Sequence, residues 1–164
     1  IYLGGYVAAI EKAVAAAQHL GAQSGDALKL GIIPSVGSSA DTTAQLDVDA
    51  TAITMSGETI TSCYIDSLQA KVTFDATGAI TSDTAAFATK NELGENYGMK
   101  AWGGATYEWN EQAASFASYV TGKSVAEVAG IAVNEKTAPT DADLASTVTI
   151  AIGGFQALIA KAAK

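Results

Sequence analysis

Arginine is absent from this chain. All nine basic residues among its 164 are lysines, set against 17 acidic ones, and the net charge is −8. Affinity for nucleic acid rests on phosphate neutralisation by Lys and Arg, so a pI near 4.4 without a single guanidinium excludes a nucleic-acid binder. The same shortage excludes a polybasic membrane anchor. Cysteine and histidine occur once each, as Cys63 and His19, too few for a thiol-rich metal site or a disulfide framework. Long hydrophobic runs are also missing. The longest apolar stretch, residues 2–20, is broken by Glu11, Lys12 and His19 and cannot insert as a bilayer span. Hydrophobic residues still make up 49 % of the chain while aromatics are only 7 %, and about a fifth of the residues are Ala. A core of ordinary size is possible at this length, built from small side chains.

The first residue is Ile1, with no basic n-region and apolar h-region after it, so a processed mature product or an excised fragment is expected. An acidic chain poor in Cys and rich in Thr, Ala, Gly and Ser fits work outside the cytoplasm, secreted or at the cell surface. Cys63 lies in a strand-like run without nearby basic support and reads as a small buried hydrophobe.

The two ends of the chain are related. IYLGGYVAAIEKA at residues 1–13 matches IAIGGFQALIAKA at residues 150–162 with a constant offset of 149. Identities fall at Ile1/Ile150, Gly4/Gly153, Gly5/Gly154, Ala8/Ala157, Ile10/Ile159, Lys12/Lys161 and Ala13/Ala162, and Tyr6/Phe155 is conservative. A unit of about 149 residues therefore ends in this helix, and the chain opens with a copy of it. The expected organisation is an N-terminal helix over residues 1–22, from a preceding repeat unit or exchanged between subunits, followed by a single α+β domain over residues 23–164. Exchange of an identical element is a low-cost route to oligomers.

Periodicity predicts a helix over residues 5–20, with Gly21 as its C-terminal glycine and His19 capping its end. Residues 28–36 read as a strand, with Pro34 implying an edge position or a break. Residues 45–55 alternate, with Leu46, Val48, Ala50 and Ala52 against Asp47, Asp49 and Thr51, and the phase flips at Ile53 and Met55, which implies a bulge. A hairpin turn at Ser56-Gly57-Glu58 leads into residues 59–68, then residues 70–74 alternate again before a turn at Ala76-Thr77-Gly78. The pattern is an antiparallel meander with one apolar and one wet face. Residues 90–106 read as a long Gly-rich loop. Residues 107–120 form a helix with Trp109, Ala113, Phe116 and Val120 on one stripe. Ser124 and Glu127 make a capping box. Residues 147–152 alternate like a strand but are taken as helix continuing to residue 163. The fold class is α+β: an antiparallel sheet of about four or five strands, helices on one face, and an extra N-terminal helix.

Residues 89–135, beginning TKNELGENYGMKAWGGAT, together with PTDADLASTVTIAIGGFQALIAKA and the LGAQSGDALKLG linker, carry a family resemblance. The chain resembles uncharacterised exported tandem-repeat proteins of Clostridia-type gut bacteria. More distantly, it is similar to extracytoplasmic FMN-binding domains, whose hallmark is Asp-x-x-Ser-Gly-Ala-Thr with flavin carried on the last Thr. The resemblance implies Asp143, Ser146 and Thr149 as residues that would hold FMN. Thr147-Val148 replaces the Gly-Ala pair, a β-branched pair where glycine would let backbone approach the phosphate. The absence of Arg removes the best bidentate phosphate partner.

Other constellations have structural readings. Asp47 and Asp49 share a strand face and read as solvated. Asp141 and Asp143 suit a helix N-terminus. Gly103-Gly-Ala-Thr106 lacks the Lys-Ser/Thr ending of a phosphate loop. Tyr97, Trp102, Tyr107 and Trp109 gather on one loop, as a ligand platform or as loop-on-core packing. No catalytic residue and no metal ligand is assigned. The expected function is a non-enzymatic structural or assembly module without a cofactor, self-associating or joined to neighbouring repeat units; a flavin-carrying electron-transfer module or a small-ligand-binding surface protein is the alternative.

Overall fold

The computed structural model describes residues 3–84 and 87–164, so the Ile1/Ile150 match lies outside the described residues. The chain is α+β. Helix α1, Gly4–Ala16, leads into strands β1, Ala27–Ser35, β2, Thr43–Ser56, and β3, Thr59–Thr73. Helix α2, Lys90–Leu93, runs into a 3-10 turn, Gly94–Tyr97. Helices α3, Trp109–Val120, α4, Val125–Ala129, α5, Ala142–Ala145, and α6, Gly153–Ala162, complete the chain.

The sheet is antiparallel with order β1-β2-β3, three strands among the described residues rather than four or five. The difference arises at β3. Residues 59–68 and 70–74, expected as separate strands, form one 15-residue strand paired along almost the whole of β2. The register shifts between Thr54 and Met55, as the phase change implied, but the extra residue is Thr61 on β3. Pro34 lies on edge strand β1, opposite Val48, where its missing N–H disrupts no central ladder.

Helices α3 and α6 cover one face of the sheet, called inner here. It buries Thr51, Ile53 and Met55 of β2 and Ile60, Cys63 and Ile65 of β3. Phe116, Val120, Leu158 and Ile159 close over them with no solvent exposure. Phe155 joins the layers, edge-on to Trp109 with centroids 5.8 Å apart and tilted against Phe116 at 5.3 Å. Helix α6 rests directly on β1 at Gly31, where a Cβ would stand 2.6 Å from the Leu158 carbonyl oxygen.

Four further expectations are corrected. Helix α1 stops at Ala16, because Ala17 is extended, so His19 lies beyond the helix and does not cap it. Gly21 is not a helix cap. It takes φ 117° against β3, where any Cβ would come within 2.5 Å of the Thr61 carbonyl oxygen. Residues 90–106 are not a plain loop, since Thr89 and Glu92 form a capping box that starts α2. Residues 147–152 are neither helix nor strand. Their backbone is satisfied elsewhere: Thr149 and Ile150 donate to the Gln112 side chain, and Ile152 donates to the Thr137 carbonyl.

Candidate functional site

The hydroxyls among the residues implied by the FMN-domain resemblance are engaged by protein acceptors. Asp143 is in the first turn of α5, exposed, and its carbonyl accepts the Ser146 hydroxyl at 2.7 Å. Thr149 donates its hydroxyl to Gln112 Oε1 at 3.2 Å. Val148 between them is fully buried. The shallow hollow beside Asp143, about 320 Å³, is lined by Ser115, Ser118, Tyr119, Leu144 and Thr147, with no cation. A flavin phosphate brings two negative charges and needs converging donors. This set offers a carboxylate and two hydroxyls already committed to protein acceptors, so it does not fit the group.

The aromatic loop is also dispersed. Trp109 belongs to the core, whereas Trp102 is 83 % exposed and lies over Gly98. The Lys90 ammonium stands 4.9 Å from the ring centroids of both Tyr97 and Trp109, so a cation already occupies the space between them. Tyr97 donates its hydroxyl to Gln69. Sequence reading missed the residue that organises this loop. Glu108 is buried, and its carboxylate accepts the backbone N–H groups of Met99 and Lys100 at 2.8 and 3.0 Å. Glu111 in turn accepts the Glu108 N–H at 2.7 Å. Two acids three residues apart at the start of a helix were the available signal.

Asp47 accepts from Gln45 and Ser38, which hold its carboxyl below the usual range. Among the described residues, no group of three or more His, Cys, Asp or Glu side chains could hold a metal ion. A groove of about 500 Å³ lies between β3 and α3 and includes Cys63, Asn110, Ala114 and Ala117. It carries no charged side chain, and burial pushes the Cys63 thiol up to about 11.

Two apolar surfaces are left open. Helix α1 buries none of its residues, and Leu3, Tyr6, Val7, Ile10 and Val14 are each more than half exposed. The outer face of the sheet presents Leu28, Leu30 and Ile32 of β1 at 65, 67 and 54 % exposure, with Leu46 exposed further along the same face on β2. The helices thus cover the sheet face opposite the Leu46, Val48, Ala50 and Ala52 row.

The related ends of the chain behave differently. Both helices start on the first glycine of the Gly-Gly pair, Gly4 and Gly153. Helix α6 buries Phe155, Leu158, Ile159 and Ala162. Their counterparts at the 149-residue offset, Tyr6, Ala9, Ile10 and Ala13, are all exposed. Compared with protein families, curated proteins and solved structures, the chain matches none.

Proposed function

We propose that the chain is a non-enzymatic structural module that works outside the cytoplasm and self-associates through its N-terminal helix. The observation that carries this reading is the contrast between two related helices. Helix α6 is buried along its apolar stripe, while Tyr6 and Ile10 on α1 are 66 and 65 % exposed. A lone 13-residue helix is marginal in water, so α1 gains its stability from a partner. The partner is a second chain or an adjacent repeat unit, because that is the surface a repeated element is built to meet. The engagement of the Ser146 and Thr149 hydroxyls by protein acceptors, and the inert setting of Cys63, favour assembly over chemistry.

Electron microscopy and sizing of the native protein over a wide concentration range test the reading. Concentration-dependent oligomers or filaments are expected. A particle that stays monomeric at every concentration would overturn it.

A further inference from the structure

A helix that docks on a neighbour needs a seat, and the differences between α1 and α6 identify it. We infer that α1 lies on the outer face of the sheet of a second copy, not in the place that α6 occupies, an assignment that rests on self-association through α1.

The seat of α6 does not suit α1. Gln156 of α6 donates through Nε2 to the carbonyls of Val128 at 2.9 Å and Ile131 at 3.2 Å. Its counterpart at the 149-residue offset is Val7, which has no donor. Leu158 is fully buried, and its counterpart is Ala9, which would leave a cavity. At 3.6 residues per turn, the large apolar residues of α1 (Leu3, Tyr6, Val7, Ile10 and Val14) fall on one arc of about 100°. That arc is rotated away from the one α6 buries, which centres on Leu158, Ile159 and Ala162. The two arcs overlap at Tyr6/Phe155 and Ile10/Ile159, but their centres differ by about 60°: α1 adds Leu3, Val7 and Val14 where α6 buries Leu158 and Ala162.

The outer sheet face has the complementary shape. On central strand β2 the small residues Ala50 and Ala52 stand opposite Ile32 and Leu30 of β1, and Ala52 stands opposite Tyr64 of β3. Large side chains therefore border a trough floored by alanine, into which a helix ridge can settle. The alanine floor from Ala50 to Ala52 runs about 7 Å at the usual rise per strand residue, and Val48 and Leu46 continue the apolar row to about 20 Å. The 13 residues of α1 span about 20 Å as well. Charge also agrees. The apolar arc carries none, and Asp66 at the border of the trough is occupied by the N–H groups of Ser67 and Asn91.

The occupant is the α1 of a second copy because the linker directs α1 away from its own β1. Gly21 abuts the Thr61 carbonyl, and the Thr61 hydroxyl donates to Asp26 at 2.6 Å. Lys12 pairs with Glu92 on α2, which packs beside β3. These contacts hold α1 on the β3 side, while Leu28, Leu30 and Ile32 lie on the opposite edge strand. Two α1 helices exchanged reciprocally between two copies would cover both apolar surfaces of each chain.

Sedimentation of the full chain carrying Ile10→Lys or Leu30→Lys tests the assignment, with thermal unfolding as a control for folding. Each substitution is expected to raise the concentration for half-association at least tenfold. A second measurement mixes chains carrying Ile10→Cys with chains carrying Leu30→Cys under oxidising conditions; a disulfide-linked heterodimer is expected, since native Cys63 is buried. Loss of association with Ile10→Lys but not with Leu30→Lys overturns this seat and leaves self-association through α1 standing. No effect of either overturns both. A chain carrying both cysteines that closes only on itself, with no heterodimer on mixing, shows α1 on its own sheet and also overturns the seat.

Discussion

The Gln112 side chain, fully buried on α3, accepts the backbone N–H of Thr149 at 2.8 Å. The same oxygen accepts the Thr149 hydroxyl and the Ile150 N–H, both at 3.2 Å, and the Gln112 amide donates to the Tyr107 carbonyl at 2.9 Å. One amide thus replaces the missing secondary structure of residues 147–152 and lets Val148 and Ile152 enter the core. Gln112→Ala removes the acceptor for two backbone donors and opens a void. A loss of about 3 kcal/mol is expected, read as a melting point lower by roughly 6–12 °C. Thr149→Ala, which keeps the backbone bond, is expected to cost less than about 1 kcal/mol. Thermal unfolding of the two variants checks the ranking, and equal losses would contradict it.

Three helix starts depend on ionised glutamates. Glu127 accepts the Ser124 N–H, Glu111 accepts the Glu108 N–H, and Glu92 pairs with Lys12 and accepts the Thr89 N–H; each carboxyl is held below its ordinary value by these bonds. A carboxyl whose folded pKa is depressed stabilises the fold fully above its unfolded value, and the effect fades as pH falls through the folded value. The melting temperature is therefore expected to be flat at neutral pH and to drop below about pH 4.3, the ordinary Glu value. Glu127→Gln should lower stability at pH 7 and shrink the drop on acidification. A pH series of melting curves for both chains measures this directly.

Cys63 is buried beside Thr51, and desolvation raises its thiol to about 11. At pH 8 only about one thiol in a thousand is then ionised. Alkylation of the folded protein by iodoacetamide is expected to be at least a hundredfold slower than in denaturant. Rapid single-site labelling of the folded chain, followed by mass spectrometry, would show that the thiol is reachable and activated.

Much of this architecture was legible in the sequence, and the failures have physical causes. The stripe of Trp109, Ala113, Phe116 and Val120 was readable because all four pack on one side of α3. Of the two readings of Pro34, an edge or a break, the structure shows the edge, whereas the bulge expected on residues 45–55 lies instead at Thr61 of β3, and the alternation of β2 is unbroken. The strand count failed because residues 59–68 and 70–74 lie on one strand whose pairing with β2 runs unbroken through Gln69, and local alternation does not show where a strand continues. Residues 147–152 were misread because their partners, Gln112 and Thr137, are distant in sequence or hidden in a turn. Alternation along β2 separated its faces but did not say which one the helices cover. That depended on Gly31, whose missing side chain admits α6 on the inner side. The relation between the chain ends was visible in sequence; only the structure showed that one copy is buried and the other exposed.

Amide hydrogen exchange along α1, followed as a function of protein concentration, tests the central claim most directly. A helix without buried residues has little protection of its own. The account predicts fast exchange over residues 4–16 in dilute protein and protection that grows with concentration, together with protection of the β1 and β2 residues that bear the outer face. Protection of α1 that is the same at every concentration, or absent at all of them, would contradict it.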